Sequence, residues 1–448
     1  MRLFRTTNDE RRTTRWGNQS GVALILVLSA LVIITTMAAE FAYNTNVNYH
    51  LAMNDRDRLK AHYLALSSYR FMLVELKFDK MFQRTIQQRN LGQFMGSEAN
   101  IPLCQQFPIS TELIKAVFVE SGEGGGEGEG GGEAAEGEGG GSPIPAEFSK
   151  MISLEQREAA REFLNVDGDF DGECVDEGKK INLNAFAQWK PDQPVATGLN
   201  DFDKFKAYLI QFFKNPSYED AFEKADVRPE DVVRNIADWV DTNERVNELG
   251  GVMGAPEDTM YTKQDITYPL KNYKFTTLQE IYLVEGITDD WFAPMESRFT
   301  IYGDEKVDVC NADEDIVISL IRRYVESREE PPAIDFNNPE VTTALTTAVS
   351  DGCAMGGTGN QLANNVSTAL DNKIKEITGA ATEPETPTQT TTASSMPSGF
   401  GAFVATERRY FALKMTGRSA DTTVTIRAVI DTKETDPNKW KLLYWQER

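Results

Sequence analysis

Apolar and polar positions follow three different rhythms along this chain. From Val22 to Ala39 the residues are uncharged and mostly apolar, a run about as long as the roughly 20 residues a helix needs to cross a bilayer core. Apolar and aromatic positions then recur at three- and four-residue gaps through Phe41, Tyr43, Val47, Leu51, Leu59, Tyr63, Leu66 and Phe71 to Leu76. Asp55, Arg56, Asp57, Arg58 and Lys60 fill intervening places. That spacing predicts an amphipathic helix. Neither Pro nor Gly interrupts Val22 to Lys77, so one helix of more than fifty residues is expected, half in lipid and half packed on a domain.

Helical spacing returns from Phe202 to Val246, where Phe202, Phe205, Tyr208, Leu209, Phe212 and Phe213 form one face and Val232 to Val240 another. Short helices are also predicted over Ile152–Leu164, over Thr276–Val284 with a glycine stop at Gly286, and over Glu314–Ser327, closed by Pro331 and Pro332. Period-two alternation marks Arg409–Met415, Thr422–Ile430 and Lys439–Trp445 as an antiparallel meander. Leu113–Glu120 reads as a further strand. Lys180-Ile-Asn-Leu-Asn-Ala and Lys306-Val-Asp-Val-Cys-Asn-Ala echo each other, each a short strand before a helix start. Gly122–Gly141 holds only Gly, Glu and Ala and cannot bury apolar area, so it reads as a flexible surface insertion. Residues 378–398, rich in Thr, Pro, Ser and Glu, read as a linker.

Charge narrows the function. The net charge of −23 over 448 residues argues against nucleic acid, which needs surplus Lys and Arg. It favours divalent cations, although acidity also simply keeps an exported domain soluble. His50 and His62 are the only histidines, so the large remainder has no Ser-His or Cys-His set and no His-rich zinc site. No enzyme is expected. Cys104, Cys174, Cys310 and Cys353 form no CxxC pair. They fit one or two disulfides in an exported chain, and the shorter intervening loop favours Cys310 with Cys353.

The first stretch carries Arg2, Arg5, Arg11, Arg12 and Arg15 against Asp9 and Glu10, which orients the apolar run with its start inside. A secretory signal cut near Thr36-Met-Ala-Ala39, a plain signal anchor, and a prepilin-type signal cut before the apolar run all compete. Ser20-Gly21 followed by Val22-Ala-Leu-Ile-Leu26 has the last form, and the helix continuing past the membrane favours it.

Two acidic groups are candidate metal ligands. Asp167, Asp169, Asp171 and Gly172 match the first half of a D-x-D-x-D-G calcium loop, but position twelve is Gly178 rather than the bidentate Glu. A solvated acidic turn is the competing reading. Asp238, Asp241 and Asn243, with Glu257 and Asp258, form the second group, in a glycine-punctuated loop after a helix, where a capped loop with exposed acids is the alternative. Thr277–Thr288 also resembles half of a helix-hairpin-helix. Glu285, Asp289 and Asp290 would repel phosphate there, so a structural hairpin is expected.

Taken in order, Gly21-Val-Ala-Leu-Ile-Leu26, Lys180–Ala185, Asn235-Ile-Ala-Asp-Trp-Val-Asp241, Gly254-Ala-Pro-Glu-Asp258 with Tyr261, Leu278-Gln-Glu-Ile281 with Gly286-Ile-Thr288, and Val307-Asp-Val-Cys-Asn-Ala312 resemble the K-type minor pseudopilin of type II secretion systems, general secretion pathway protein K. The resemblance implies an α+β fold: a pilin-like long N-terminal helix packed on an antiparallel β-sheet, with a large inserted α-helical domain. It implies cleavage after Gly21 by a prepilin peptidase, methylation of Val22, and structural Ca2+ in the helical region. The implied partners are the I- and J-type minor pseudopilins and the major pseudopilin. The implied place is the bacterial inner membrane, single-pass, with the C-terminal domain in the periplasm. Leu26 stands where most pilins carry Glu; K-type proteins share that feature, which implies a tip position, since an unpaired carboxylate in lipid is costly.

The expected layout is a leader over 1–21, the long helix over 22–77, and a pilin-like part over 78–185 interrupted at 122–141. An inserted helical domain follows over 186–330, then a variable stretch and linker over 331–398, and closing strands over 399–448. The rival function is a signal-anchored, calcium-dependent surface binding protein, with a type IV pilus tip protein between the two.

Overall fold

The computed structural model describes residues 20–89, 101–118, 167–191, 199–247, 253–257, 268–328, 330–357, 359–379, 399–405, 407–434 and 436–448. Helix α1 runs unbroken from Ser20 to Arg89, 70 residues. Its first half, through Ala52, is exposed throughout, and among the described residues it is the helix long and apolar enough to cross a membrane. Packing begins at Asp57. Ala61, Leu64, Ala65, Ser68, Met72, Leu76 and Asp79 are then buried in turn, a single stripe at the three- and four-residue spacing of one helix face.

That stripe lies on a five-stranded antiparallel sheet of order β1-β2-β7-β8-β9. The strands are β1 (Ile109–Ser110), β2 (Asp169–Asp176), β7 (Tyr410–Ser419), β8 (Thr422–Asp431) and β9 (Lys441–Glu447). β2 pairs with β7 from Asp169↔Arg418 to Asp176↔Phe411, and β7 with β8 from Tyr410↔Asp431 to Ser419↔Thr422. The β8–β9 register shifts between Val429 and Ile430. Helix and sheet meet closely because glycines leave room. A Cβ on Gly417 would lie 2.0 Å from the Ala61 carbonyl oxygen, and one on Gly172 2.7 Å from Met72 Sδ and Ser68 Oγ.

A second, larger core lies between β2 and β7 in sequence, from Ile181 to Val404. Its helices are α3 (Asp201–Phe213), α4 (Pro216–Ala225), α5 (Pro229–Val240), α6 (Glu314–Glu326), α7 (Pro339–Ala354) and α8 (Asn360–Thr378); α2 (Thr111–Phe118) belongs to the sheet part. Asn200 caps α3 by accepting from Asp203 N at 2.8 Å, and Pro229 begins α5 with Glu230 and Asp231 in its first turn. Each echoed segment pairs elsewhere: β3 (Ile181–Asn182) runs parallel to β6 (Phe299–Thr300), and Val307 forms an isolated bridge to Val404. The α+β class, with a long N-terminal helix, an antiparallel sheet and a separate helical region, is as expected.

Three local readings are corrected. Leu113–Phe118 is helical rather than a strand, because Ser110 Oγ accepts from Leu113 N at 3.1 Å and starts a turn. Thr276–Val284 contains only a 3₁₀ helix, Leu278–Leu283. Residues 339–378, read as variable sequence, form the antiparallel pair α7–α8, with Gly352 letting α7 approach the α8 backbone at Val366. The helix read over 152–164 and the insertion 122–141 lie outside the described residues, as does the linker beyond 379.

Candidate metal centre

Asp238 sits in the last turn of α5, and Asp241 caps that helix through its backbone N–H to the Ala237 carbonyl at 3.0 Å. Two carboxylates at a helix C-terminus oppose the macrodipole, whose negative end lies there. The chain then turns into β4 (Arg245–Asn247), which pairs antiparallel with β5 (Met253–Pro256) in the register Arg245↔Pro256. That hairpin returns Glu257 beside Glu244, whose carbonyl accepts from Glu257 N at 3.4 Å. The outcome is that Asp238, Asp241 and Glu257, each 3% exposed, bring carboxylate oxygens within 4.8 Å of one another.

Their hydrogen bonds are unequal. Asp238 Oδ1 accepts from Asn247 N (2.9 Å) and Nδ2 (2.7 Å). Asp241 accepts from Asn243 N at 3.1 Å and Nδ2 at 3.0 Å, and from Asn247 Nδ2. Both Glu257 carboxylate oxygens are buried with no hydrogen-bond partner. Lys206 pairs with Asp203 at 2.8 Å and Arg234 with Asp231 at 3.0 Å, and both charges also act on Asp238. Burial first, and for Glu257 the neighbouring Asp238 and Asp241 charges next, push Glu257 up to about 9. Burial likewise raises Asp241 to about 7 and Asp238 to about 6, against the hydrogen bonds from Asn247.

Three buried carboxylates sharing one small volume need a positive partner. An all-oxygen set with one wholly unsatisfied glutamate fits a hard divalent cation such as Ca2+, and lacks the nitrogen or sulfur ligands that favour zinc. Asn243 belongs to the supporting layer, since its Oδ1 accepts from Arg245 N at 2.7 Å. Asp258 lies outside the described residues. Sequence reasoning missed Asn247; its sign was the polar residue two beyond Arg245, alternating with the buried Val246.

The D-x-D-x-D-G stretch is not gathered into a loop. Asp169 and Asp171 lie on β2, whose inward positions are Phe170, Gly172 and Cys174, and an extended strand separates alternate side chains too widely to wrap one ion. Asp171 pairs with Arg418 at 2.5 Å and Asp167, exposed, with Lys60 at 3.6 Å. Gly21 and Val22 open α1, both exposed. Cys310 is bonded to Cys353 and Cys104 to Cys174. In the hairpin-like turn, the Glu285 and Gly286 carbonyls accept from Asn235 Nδ2 (2.9 Å) and Trp291 Nε1 (3.1 Å), ties that serve the core.

These features define a protein with one apolar N-terminal helix, a helix-backed antiparallel sheet, and a helical region holding a buried acidic centre. No family model matches the chain, and no curated protein matches it. Among solved structures it is similar to a chain of the GspK-GspI-GspJ complex from the enterotoxigenic Escherichia coli type 2 secretion system. Identity is 14% and the TM-score 0.37, over 63% of this chain and 80% of that one.

Proposed function

We propose that this chain is a K-type minor pseudopilin, anchored in the bacterial inner membrane with its sheet and helical region in the periplasm. It acts by assembly rather than catalysis. The observation that carries the reading is α1: one continuous rod whose buried stripe starts only at Asp57, with the residues from Gly21 to Ala52 exposed among the described residues. A signal peptide has no use for such a continuation, whereas a subunit that joins a bundle of similar rods does. The ordered motifs from Gly21 to Ala312 support the same family, and with it the I- and J-type minor pseudopilins and the major pseudopilin as partners. Ca2+, when bound, supplies the positive charge that Asp238, Asp241 and Glu257 require, and so ties the end of α5 to the β4–β5 hairpin.

The test is the mature amino terminus. Mass spectrometry should find N-methylated Val22, and Gly21→Val should leave the chain unprocessed and secretion impaired. A released product beginning near Glu40, or normal maturation of the Gly21→Val chain, would overturn the reading.

A further inference from the structure

The cation reading gives work to three carboxylates but none to the residue that touches two of them. Asn247 ends β4, is buried, and aims both kinds of donor it has at the cluster. Its backbone N–H and its Nδ2 converge on Asp238 Oδ1 at 2.9 and 2.7 Å, and the same Nδ2 reaches Asp241 Oδ2. One amide group therefore spans two carboxylates three residues apart, one in the last turn of α5 and one on the residue that caps it. Carboxylates held this near repel each other, and with nothing between them their side chains would turn apart. Asp238 keeps Oδ2, and Glu257 keeps both oxygens, without a donor from this residue.

We propose that Asn247 is the positioning residue of the cation site. By donating to one oxygen of each aspartate it sets their separation before any ion arrives, and it leaves the other oxygen of each free of its own donors. Hydrogen-bonded partners of metal-ligating carboxylates commonly control affinity in this way. Placement follows from the strand pairing: Asn247 pairs with Met253 and Arg245 with Pro256, so the ladder that brings Glu257 to the cluster also places Asn247 there. The proposal rests on the cation reading above.

The experiment titrates the full chain in detergent with calcium chloride by calorimetry, for wild type, Asn247→Asp and Asn247→Leu. Aspartate keeps the shape and removes the side-chain donors, while leucine removes all side-chain polarity. Both variants should bind roughly 10–100-fold more weakly with unchanged stoichiometry. Should the leucine variant fail to fold, Asn247→Ser, with one hydroxyl donor, should fall between wild type and aspartate. Melting in excess chelator separates a structural role: a lower chelated melt with wild-type affinity overturns the proposal. Tighter binding by Asn247→Asp also overturns it, since the side-chain oxygen at 247 would then be a ligand. Wild type that takes up no calcium removes the cation reading itself, and this proposal with it.

Discussion

Glu257 is the side chain on which the proposed cation site rests most directly. Its carboxylate is buried, has no donor on either oxygen, and faces two other acids. In chelator, folding must therefore either protonate it or bear the repulsion. Calcium at a hundredfold over its dissociation constant adds about 2.7 kcal/mol, on the order of 5–10 °C in melting temperature for a unit of this size. Glu257→Gln should abolish that rise and, by removing one like charge, melt above wild type in chelator. Equal calcium shifts in both chains, read by calorimetry or circular dichroism, would show that the ion binds elsewhere. Asp238, Asp241 and Glu257 were legible as candidate oxygen ligands around a glycine-punctuated loop, and the fold brings the three carboxylates together. Asp167, Asp169 and Asp171 were misleading for a definite reason. Their alternation with Phe170, Gly172 and Cys174 is equally the period of a half-buried strand, and pairing with β7 decided between the two.

At the scale of elements, the long helix and the C-terminal meander could be read directly, because one repeats every three or four residues and the other every two. The α7–α8 pair could not. Its Thr-rich first turns dilute the apolar spacing of Leu345, Val349 and Cys353, and its anchor to the rest, Cys310–Cys353, depends on a pairing that spacing only suggested. Nor could the seat of α1 be read, since it depends on what is absent from β2 and β7. Gly417 permits the sheet to approach the α1 backbone itself, and a backbone cannot swing aside as a side chain does. Gly417→Val should push α1 off β7 and cost at least the upper end of the roughly 1–3 kcal/mol usual for overpacking. A denaturation midpoint equal to wild type would refute this close-contact account.

The two cores, one under α1 and one among the helices, meet where the chain passes between them at 176–181, 307–308 and 404–411. Main-chain bonds hold these segments together: Asp308 N to the Gly178 carbonyl at 2.8 Å, Val307 N to Phe403 O at 3.0 Å and Ala405 N to Val307 O at 2.8 Å. The side chains at this joint are unusual. Asp176 and Asp308 are both buried, Arg408 lies near both and reaches Asp79 of α1 at 3.5 Å, and Glu177 is held by Lys180. One guanidinium thus faces three buried carboxylates, and a proton is the natural supplement. Burial, then the neighbouring Asp308, pushes Asp176 up to about 7; burial raises Asp308 in the same direction. With a folded pKa above the unfolded one, the native state holds the extra proton, so this joint is most stabilising below about pH 4. That contribution is lost as pH rises through about 7. On the proposed cation site, saturating calcium keeps the acidic centre out of the measurement, because its carboxylates would then be charged and paired. Under that condition wild type should unfold at lower denaturant at pH 8 than at pH 5.5, and Asp176→Asn should flatten the slope and gain stability at pH 8. Asparagine keeps the acceptor for Gly178 N, which donates to Asp176 Oδ1 at 2.7 Å, and puts a permanent donor where the proton would be. If the variant retains the full wild-type slope, the titrating group lies elsewhere and the two cores are not joined through a shared proton.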